Sequence, residues 1–198
     1  MQRIGLILLA AGSSTRLGQP KQLLPYQGRT LLRHAAEVAA ATGCEPLVLV
    51  TGASHEELLP AVKDLPFYVV RNEDWQQGMS TSIQAGLDVL RMQTEAAPLA
   101  AAIVMLCDQP LLTPEVLRQL IMQFQTTSQP LVACEYGGTR GVPALFSQIL
   151  FPILHALQGP AGARELLHQY ADLPAVSFPG GVVDVDTDEQ YQDLVARQ

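Results

Sequence analysis

Residues 4–24, IGLILLAAGSSTRLGQPKQLL, begin as an apolar run and change abruptly into small and hydroxylated residues carrying two cations, Arg16 and Lys21. Ile4–Leu9 has the length and continuity of a strand buried on both faces. The polar stretch after it cannot continue such a strand. Next, Leu31, Leu32, Ala35, Ala36, Val38 and Ala39 recur at helical spacing, so the segment reads as strand, loop and helix. The alternation then repeats. Leu47–Val50, Phe67–Val70, Ala101–Leu106 and Leu131–Glu135 read as strands. Ser54-His55-Glu56-Glu57, Thr81-Ser82-Ile83-Gln84 and Thr187-Asp188-Glu189-Gln190 read as capping boxes opening helices, the second running to about Gln93. Thr113-Pro114 pairs an N-cap with proline at the first position of a helix ending near Gln125. This order predicts a three-layer α/β fold, a mostly parallel sheet with helices on both faces. From Gly137-Gly138 onward, glycines and prolines break the pattern into short pieces. No repeat and no long linker divides the chain, so 1–198 is read as a single domain.

The net charge of −7 and pI near 5.0 exclude the broad basic surface that nucleic-acid binding requires. A small anionic ligand then needs locally concentrated positive charge. Arg3, Arg16, Lys21, Arg29 and Arg33 all fall in the first fifth of the chain. Cys44, Cys107 and Cys134 are dispersed and odd in number, which predicts reduced, buried thiols and a cytoplasmic protein. No apolar run reaches the roughly 18 residues of a membrane span. Arg3, the apolar run and Ala10-Ala11 superficially resemble a short signal peptide, but the basic region is thin and the run reads better as a strand.

In open parallel sheets, ligands bind at the carboxyl ends of the strands. Three polar segments fall there: Ala10–Lys21, Asn72–Ser82 and Asp108–Pro110. In the first, Gly12 and Gly18 let a ligand approach the main chain, and backbone N–H groups of such a loop form an anion-binding concavity. Arg16 offers a planar fork to phosphate oxygens and Lys21 a point charge. The loop is neither a Walker A motif, since Pro20 and Gln22 flank Lys21, nor a dinucleotide fingerprint, since Ser13-Ser14 follow Gly12. Asp108, at a strand end beside this loop, is suited to Mg²⁺ or to capping a turn. Cys107 reads as a buried strand residue. Asp184 and Asp186 share a face of an extended segment, and either completes a metal site there. Thr187 and Asp188 favour a helix start. Trp75 sits in a polar loop, as a packing lid or as part of the site. Ser80 and Ser82 are candidate donors. Arg164 either meets an anion or is a solvated helix charge.

Leu9-Ala10-Ala11-Gly12-Ser13-Ser14-Thr15-Arg16-Leu17-Gly18, then Lys21 and Leu23-Leu24-Pro25, resembles the signature of nucleotidyltransferases, and more narrowly the MobA-like branch that makes molybdenum cofactor dinucleotides. The resemblance implies a Rossmann-like fold of the nucleotide-diphospho-sugar transferase type. It implies transfer of a nucleoside monophosphate from a triphosphate to a phosphorylated acceptor, with release of pyrophosphate. The nucleotide-binding set it implies is Leu9, Ala10, Ala11, Gly12, Ser13, Ser14, Arg16, Lys21, Asn72, Gly78, Ser80 and Ser82. Arg16, Lys21 and Asp108 take catalytic roles, and Asp108 and Asp186 hold Mg²⁺. Gly141, Pro143 and Arg164 face the acceptor. Ala11 favours CTP, because guanylyl-transferring relatives tend to have two glycines where this chain has Ala11-Gly12. One departure concerns Gly159-Pro160-Ala161-Gly162-Ala163-Arg164: the family often has aspartate where Pro160 stands. The implied partners are CTP and molybdopterin or molybdenum cofactor, with transient contact to a molybdoenzyme or insertion chaperone and none to nucleic acid or membrane. The alternatives are a guanylyltransferase, a transferase for another phosphorylated acceptor, a cofactor carrier, and a nicotinamide-dependent oxidoreductase.

Overall fold

The computed structural model describes residues 2–127, 129–170 and 175–196. In chain order its elements are β1 (Ile4–Ala10), a small hairpin of β2 (Pro25–Tyr26) and β3 (Arg29–Thr30), α1 (Leu31–Ala40), β4 (Leu47–Thr51), α2 (His55–Leu58), β5 (Phe67–Arg71), α3 (Met79–Gln93), β6 (Ala101–Leu106), α4 (Pro114–Thr127), β7 (Leu131–Tyr136), β8 (Thr139–Ser147), α5 (Phe151–His155), α6 (Arg164–Gln169), β9 (Ala175–Ser177) and α7 (Asp188–Ala196). The main sheet has the order β5-β4-β1-β6-β8-β7-β9. β8 alone runs against the rest, pairing antiparallel with β6 and β7.

The alternation of side chains along β1 creates the layers. Leu6 and Leu8 face a core shared with α1 and α4, through residues such as Leu32, Ala36, Leu117 and Leu120. Ile7 and Leu9 face the other core, shared with α3, α5 and α6 through Ile83, Leu90, Leu154 and Leu166. Both faces of the strand are therefore dry, which is why its sequence is apolar without interruption. The helical positions read in α1 are all buried, and Thr30 caps the helix by accepting from Arg33 N–H.

Sequence reasoning missed β8 and β9. Gly141 reads as a break in the pattern, yet it lies with Pro143 within β8. The register between β7 and β8 shifts there: Ala133 pairs with Ala144, and Cys134 with Gly141. Val142 and Pro143 are the extra residues of this bulge, and a bulge tolerates the missing proline N–H. Gly137 and Gly138 join the two strands with φ of 56° and 73°, the two-residue turn whose hand matches the twist of a hairpin.

The expected helix starts fare unequally. Thr187 Oγ1 accepts from Gln190 N–H at 3.3 Å, and Gln190 Oε1 accepts from Thr187 N–H at 2.9 Å, completing a capping box. Pro114 opens α4 as expected. Ser54 stands at the N-cap of α2, but its hydroxyl makes no capping bond. Thr81 is not a cap at all, because α3 begins two residues earlier, at Met79, with Gly78 as its N-cap.

Candidate active site

The carboxyl ends of the parallel strands define one edge of the sheet, and a cleft of about 240 Å³ opens there. It is lined by the end of β1 and its loop (Leu9, Ala10, Ala11, Gly12), by Lys21 and Gln22, by the start of α3 (Gly78, Met79, Ser82), and by Leu106, Cys107 and Asp108 after β6. Trp75 and Pro160 complete the wall, so Trp75 contributes to the site.

The loop after β1 is held from inside by Gln22. This side chain is 1% exposed. Its Nε2 donates to the carbonyls of Ala10 at 3.1 Å and Gly12 at 2.9 Å. The Ser14 hydroxyl lies 3.4 Å from Gln22 Oε1 and accepts from Lys21 N–H at 3.0 Å. One buried amide thus ties both ends of the loop together. The sequence signal for it, a glutamine beside Lys21, is indistinguishable from a solvated polar residue.

Lys21 is the hub of the charged groups. Its Nζ lies 2.5 Å from Asp108 Oδ2 and 2.7 Å from Asp186 Oδ1. Arg16 Nη2 reaches Asp186 Oδ2 at 3.2 Å. Burial by itself lowers the Lys21 pKa, but Asp108 and Asp186 outweigh it and hold the ammonium above its usual value. The Lys21 hydrogen bond, followed by the Lys21 and Arg16 charges, holds the Asp186 carboxyl below the usual range against the opposing effect of burial. Asp184 moves up instead, through burial first and then repulsion from Asp186 and Asp108. Burial pushes the Cys107 thiol up to about 12, with the Asp108 charge adding to it, so this neighbour of the site is no nucleophile.

Asp186 arrives from far along the chain. Val185 N–H donates to the Asp108 carbonyl at 3.2 Å, laying the acidic segment beside the end of β6. Val185 itself is buried against a small core containing Leu24, Tyr26, Leu31 and Leu194. Gln190, in α7, accepts from Asp186 N–H at 2.9 Å and donates to Asp184 Oδ1 at 3.0 Å. Gln190 is thus a second supporting residue whose role beyond the helix cap was not read from sequence.

The start of α3 is built differently from the sequence expectation. Gly78 has φ of 117°, and a Cβ there would lie 2.6 Å from Pro160 Cα and 2.7 Å from the Gly159 carbonyl. That close approach lets Gly159 O accept from the Ser80 hydroxyl at 2.8 Å and from Ser80 N–H at 3.4 Å, supplying the cap. Ser80 therefore faces the 159–162 loop and not the cleft. Asn72 also faces inward: its Nδ2 donates to Thr81 Oγ1 and Ser82 Oγ, both at 2.9 Å, and its Oδ1 accepts from Asp74 N–H at 3.0 Å. Asn72 orients Ser82, which does line the cleft. Ser13 and Ser14 lie in the loop outside the cleft lining. Gly141 packs against Tyr136, Pro143 is buried in β8, and Arg164 is exposed at the start of α6. The structure does not bring these three into the cleft.

A loop of small and hydroxylated residues after β1, a cation shared by two carboxylates beside the carboxyl end of β6, and a doubly covered, mostly parallel sheet are the features of a nucleotidyltransferase. The chain belongs to the MobA-like NTP transferase domain family, whose sequence profile matches residues 6–173. Among its relatives, the nicotine blue oxidoreductase of Paenarthrobacter nicotinovorans is 34% identical over 96% of this chain and 95% of that protein. The molybdenum cofactor cytidylyltransferase of Escherichia coli is 27% identical over the same shares. Rv0371c of Mycobacterium tuberculosis H37Rv has a solved structure that matches with a TM-score of 0.84 and 31% identity over 98% of each chain. A manganese complex of the same protein matches with a TM-score of 0.77 and 28% identity over 100% of each chain.

Proposed function

We propose that this nucleotidyltransferase moves CMP from CTP to the phosphate of molybdopterin or molybdenum cofactor and releases pyrophosphate. The observation that carries the reading is Lys21 bracketed by Asp108 and Asp186 at the mouth of the cleft behind the β1 loop. The likeness to the cytidylyltransferase and the Ala11-Gly12 pair favour CTP.

In this reaction an acceptor phosphate oxygen attacks the α-phosphorus in line. The new P–O bond forms as the bond to the β-phosphate oxygen breaks, and the electron pair leaves with pyrophosphate. Both reactants are anions, so their repulsion is the first obstacle. Lys21 and Arg16 offset it and stabilise the charge that gathers on the leaving group. Gln22 holds the Ala10 and Gly12 backbone in place, which contributes positioning.

The residues fit a divalent cation. Asp108 Oδ1 is buried with no hydrogen-bond partner among the described residues, and two carboxylates plus substrate phosphates is the way Mg²⁺ is usually held. Asp108 and Asp186 would hold it, and the manganese complex of the relative supports a divalent ion on this fold. When bound, the ion supplies Lewis-acid neutralisation of phosphate oxygens.

Pyrophosphate release, measured with CTP and GTP in parallel and with or without freshly isolated molybdenum cofactor, tests the proposal. Release with CTP that depends on the cofactor is the expected result. Release with GTP alone would reverse the base assignment, and none with either nucleotide would remove the reaction. The 34% identity to an oxidoreductase favours a second reading, redox chemistry on the same fold. Against it stands the absence of a dinucleotide fingerprint in the β1 loop, where Ser13-Ser14 follow Gly12. Oxidation of NADH in the presence of nicotine blue would establish that reading.

A further inference from the structure

One ammonium serves the two carboxylates that the proposed reaction assigns to a divalent ion: Lys21 Nζ is 2.5 Å from Asp108 Oδ2 and 2.7 Å from Asp186 Oδ1. Arg16 adds its contact to the other oxygen of Asp186. The Asp108 and Asp186 charges are thus answered by two positive ones from the chain itself, while the nearby Asp184 carboxyl accepts from Gln190 instead. The Lys21 and Asp108 side chains are only 13% and 14% exposed, so this pairing is poorly screened by water.

A free divalent ion meets two obstacles here. Entry would force the Lys21 ammonium off its only described anionic partners while it remains largely buried, and an unpaired buried charge is costly. Mg²⁺ also gives up its waters reluctantly. A nucleoside triphosphate removes both obstacles. Its phosphate oxygens give Lys21 and Arg16 new anionic partners beside the β1 loop, and they complete the coordination that two carboxylates leave unfilled.

We propose that Lys21 is an internal counter-ion that keeps the Asp108–Asp186 pair closed to divalent cations until a triphosphate draws the ammonium away, so that metal and nucleotide enter together. The proposal rests on the nucleotidyltransferase reading of this site and adds an order of binding to it. Lys21 then acts twice, first holding two carboxylates in register in the free chain and afterwards contacting phosphate.

The test uses Mn²⁺ alone as probe, titrated into the full chain while the electron paramagnetic resonance signal of the free ion is followed. The native chain is expected to bind Mn²⁺ weakly without nucleotide and about tenfold or more tightly once CTP is present. Lys21→Met is expected to bind Mn²⁺ alone about tenfold or more tightly than the native chain, because Asp108 is then unanswered and Asp186 keeps only its contact with the exposed Arg16. Adding Asp186→Asn to Lys21→Met should abolish that gain. Equal or weaker binding by Lys21→Met, or a gain that survives in the double variant, overturns the proposal.

A measurement on the native chain covers the case in which Lys21→Met does not fold. The ¹⁵N-detected ammonium resonance of Lys21 should be visible without nucleotide and unmoved by Mg²⁺ alone, at concentrations that saturate the CTP-bound chain. It should shift when CTP follows. A shift with Mg²⁺ alone overturns the proposal. Failure of cytidylyl transfer would instead show as absent pyrophosphate with the Lys21→Met gain in Mn²⁺ binding intact, and GTP replaces CTP in the nucleotide arms if the base assignment is reversed, so the two failures are distinguishable.

Discussion

The side chain of Gln190 reaches back four residues to accept the backbone N–H of Asp186 at 2.9 Å, while its amide nitrogen donates to Asp184. A helix-capping residue therefore also fixes the backbone of Asp186 and the carboxylate of Asp184, beside the proposed metal site. Gln190→Leu removes both functions. We expect a loss of about 1 kcal/mol from the lost cap and a fall in turnover of about 10- to 100-fold, as for other residues that orient metal ligands. Urea unfolding and steady-state kinetics separate the two effects. A variant that loses stability but keeps turnover would reduce Gln190 to a cap.

Lys21→Ala and Asp108→Ala should each lower turnover by about 10²–10³-fold while the far-ultraviolet circular dichroism stays native. Rates near normal in both variants would remove the roles assigned to them.

Gln22→Leu leaves the Ala10 and Gly12 carbonyls without their donor. The expected cost is about 1–3 kcal/mol in urea unfolding, with KM for CTP rising more than kcat falls. An unchanged KM would mean that the loop keeps its shape without the amide.

Gly12 and Gly78 should respond differently to alanine. A Cβ at Gly12 meets nothing within 4 Å, so Gly12→Ala should leave Tm nearly unchanged and weaken CTP binding through the ligand alone. At Gly78 the positive φ and the contact with Gly159 and Pro160 make alanine strained, at a cost of about 1–3 kcal/mol. Thermal melts and CTP titrations of both variants check this contrast.

His34 gives the fold a predictable acid sensitivity. Its ring is buried, and burial first, then the Arg29 charge, lower its pKa below 6.5. Nδ1 lies 3.0 Å from Arg29 Nη2 and must be unprotonated to accept from it. The Pro110 and Leu112 backbone and the Glu37 charge act in the opposite direction without cancelling this shift, and the Tyr26 ring packs edge-on against the imidazole. The unfolded chain binds this proton more readily than the folded one. Stability from His34 is therefore present above pH 6.5 and is lost as the pH falls from there through the folded pKa. Urea unfolding at pH 7.5 and 5.5 should show a smaller acid loss for His34→Gln than for the native chain.

The parts of this site that were legible in sequence are those where one residue type at a strand end has few other uses. Asp108 follows the end of β6 within two residues, Lys21 closes the loop that leaves β1, and the alternation of Asp184, Val185 and Asp186 survives because Val185 is anchored in a core of its own. The parts that were not legible depend on distant backbone. The start of α3 is capped by the Gly159 carbonyl, which no local pattern around Thr81 announces. β8 carries a glycine and a proline that only a bulge opposite Ala133 and Cys134 accommodates. Gln22 and Gln190 are polar residues next to more conspicuous ones, and their value lies in buried hydrogen bonds that composition does not reveal.

The reversal of β8 has a consequence for how such a chain can diversify. On one side of β6, the ligand edge is built by crossover loops, each threaded through a packed helix, so their geometry is tied to the core. On the other side the edge ends in the Gly137-Gly138 hairpin, which hangs from two adjacent strands and carries no helix. Residues can be exchanged or inserted at that hairpin without disturbing the clamp of Gln22 on the β1 loop. The architecture joins a rigid half to a replaceable one, so new chemistry at one end need not be accompanied by reinvention at the other.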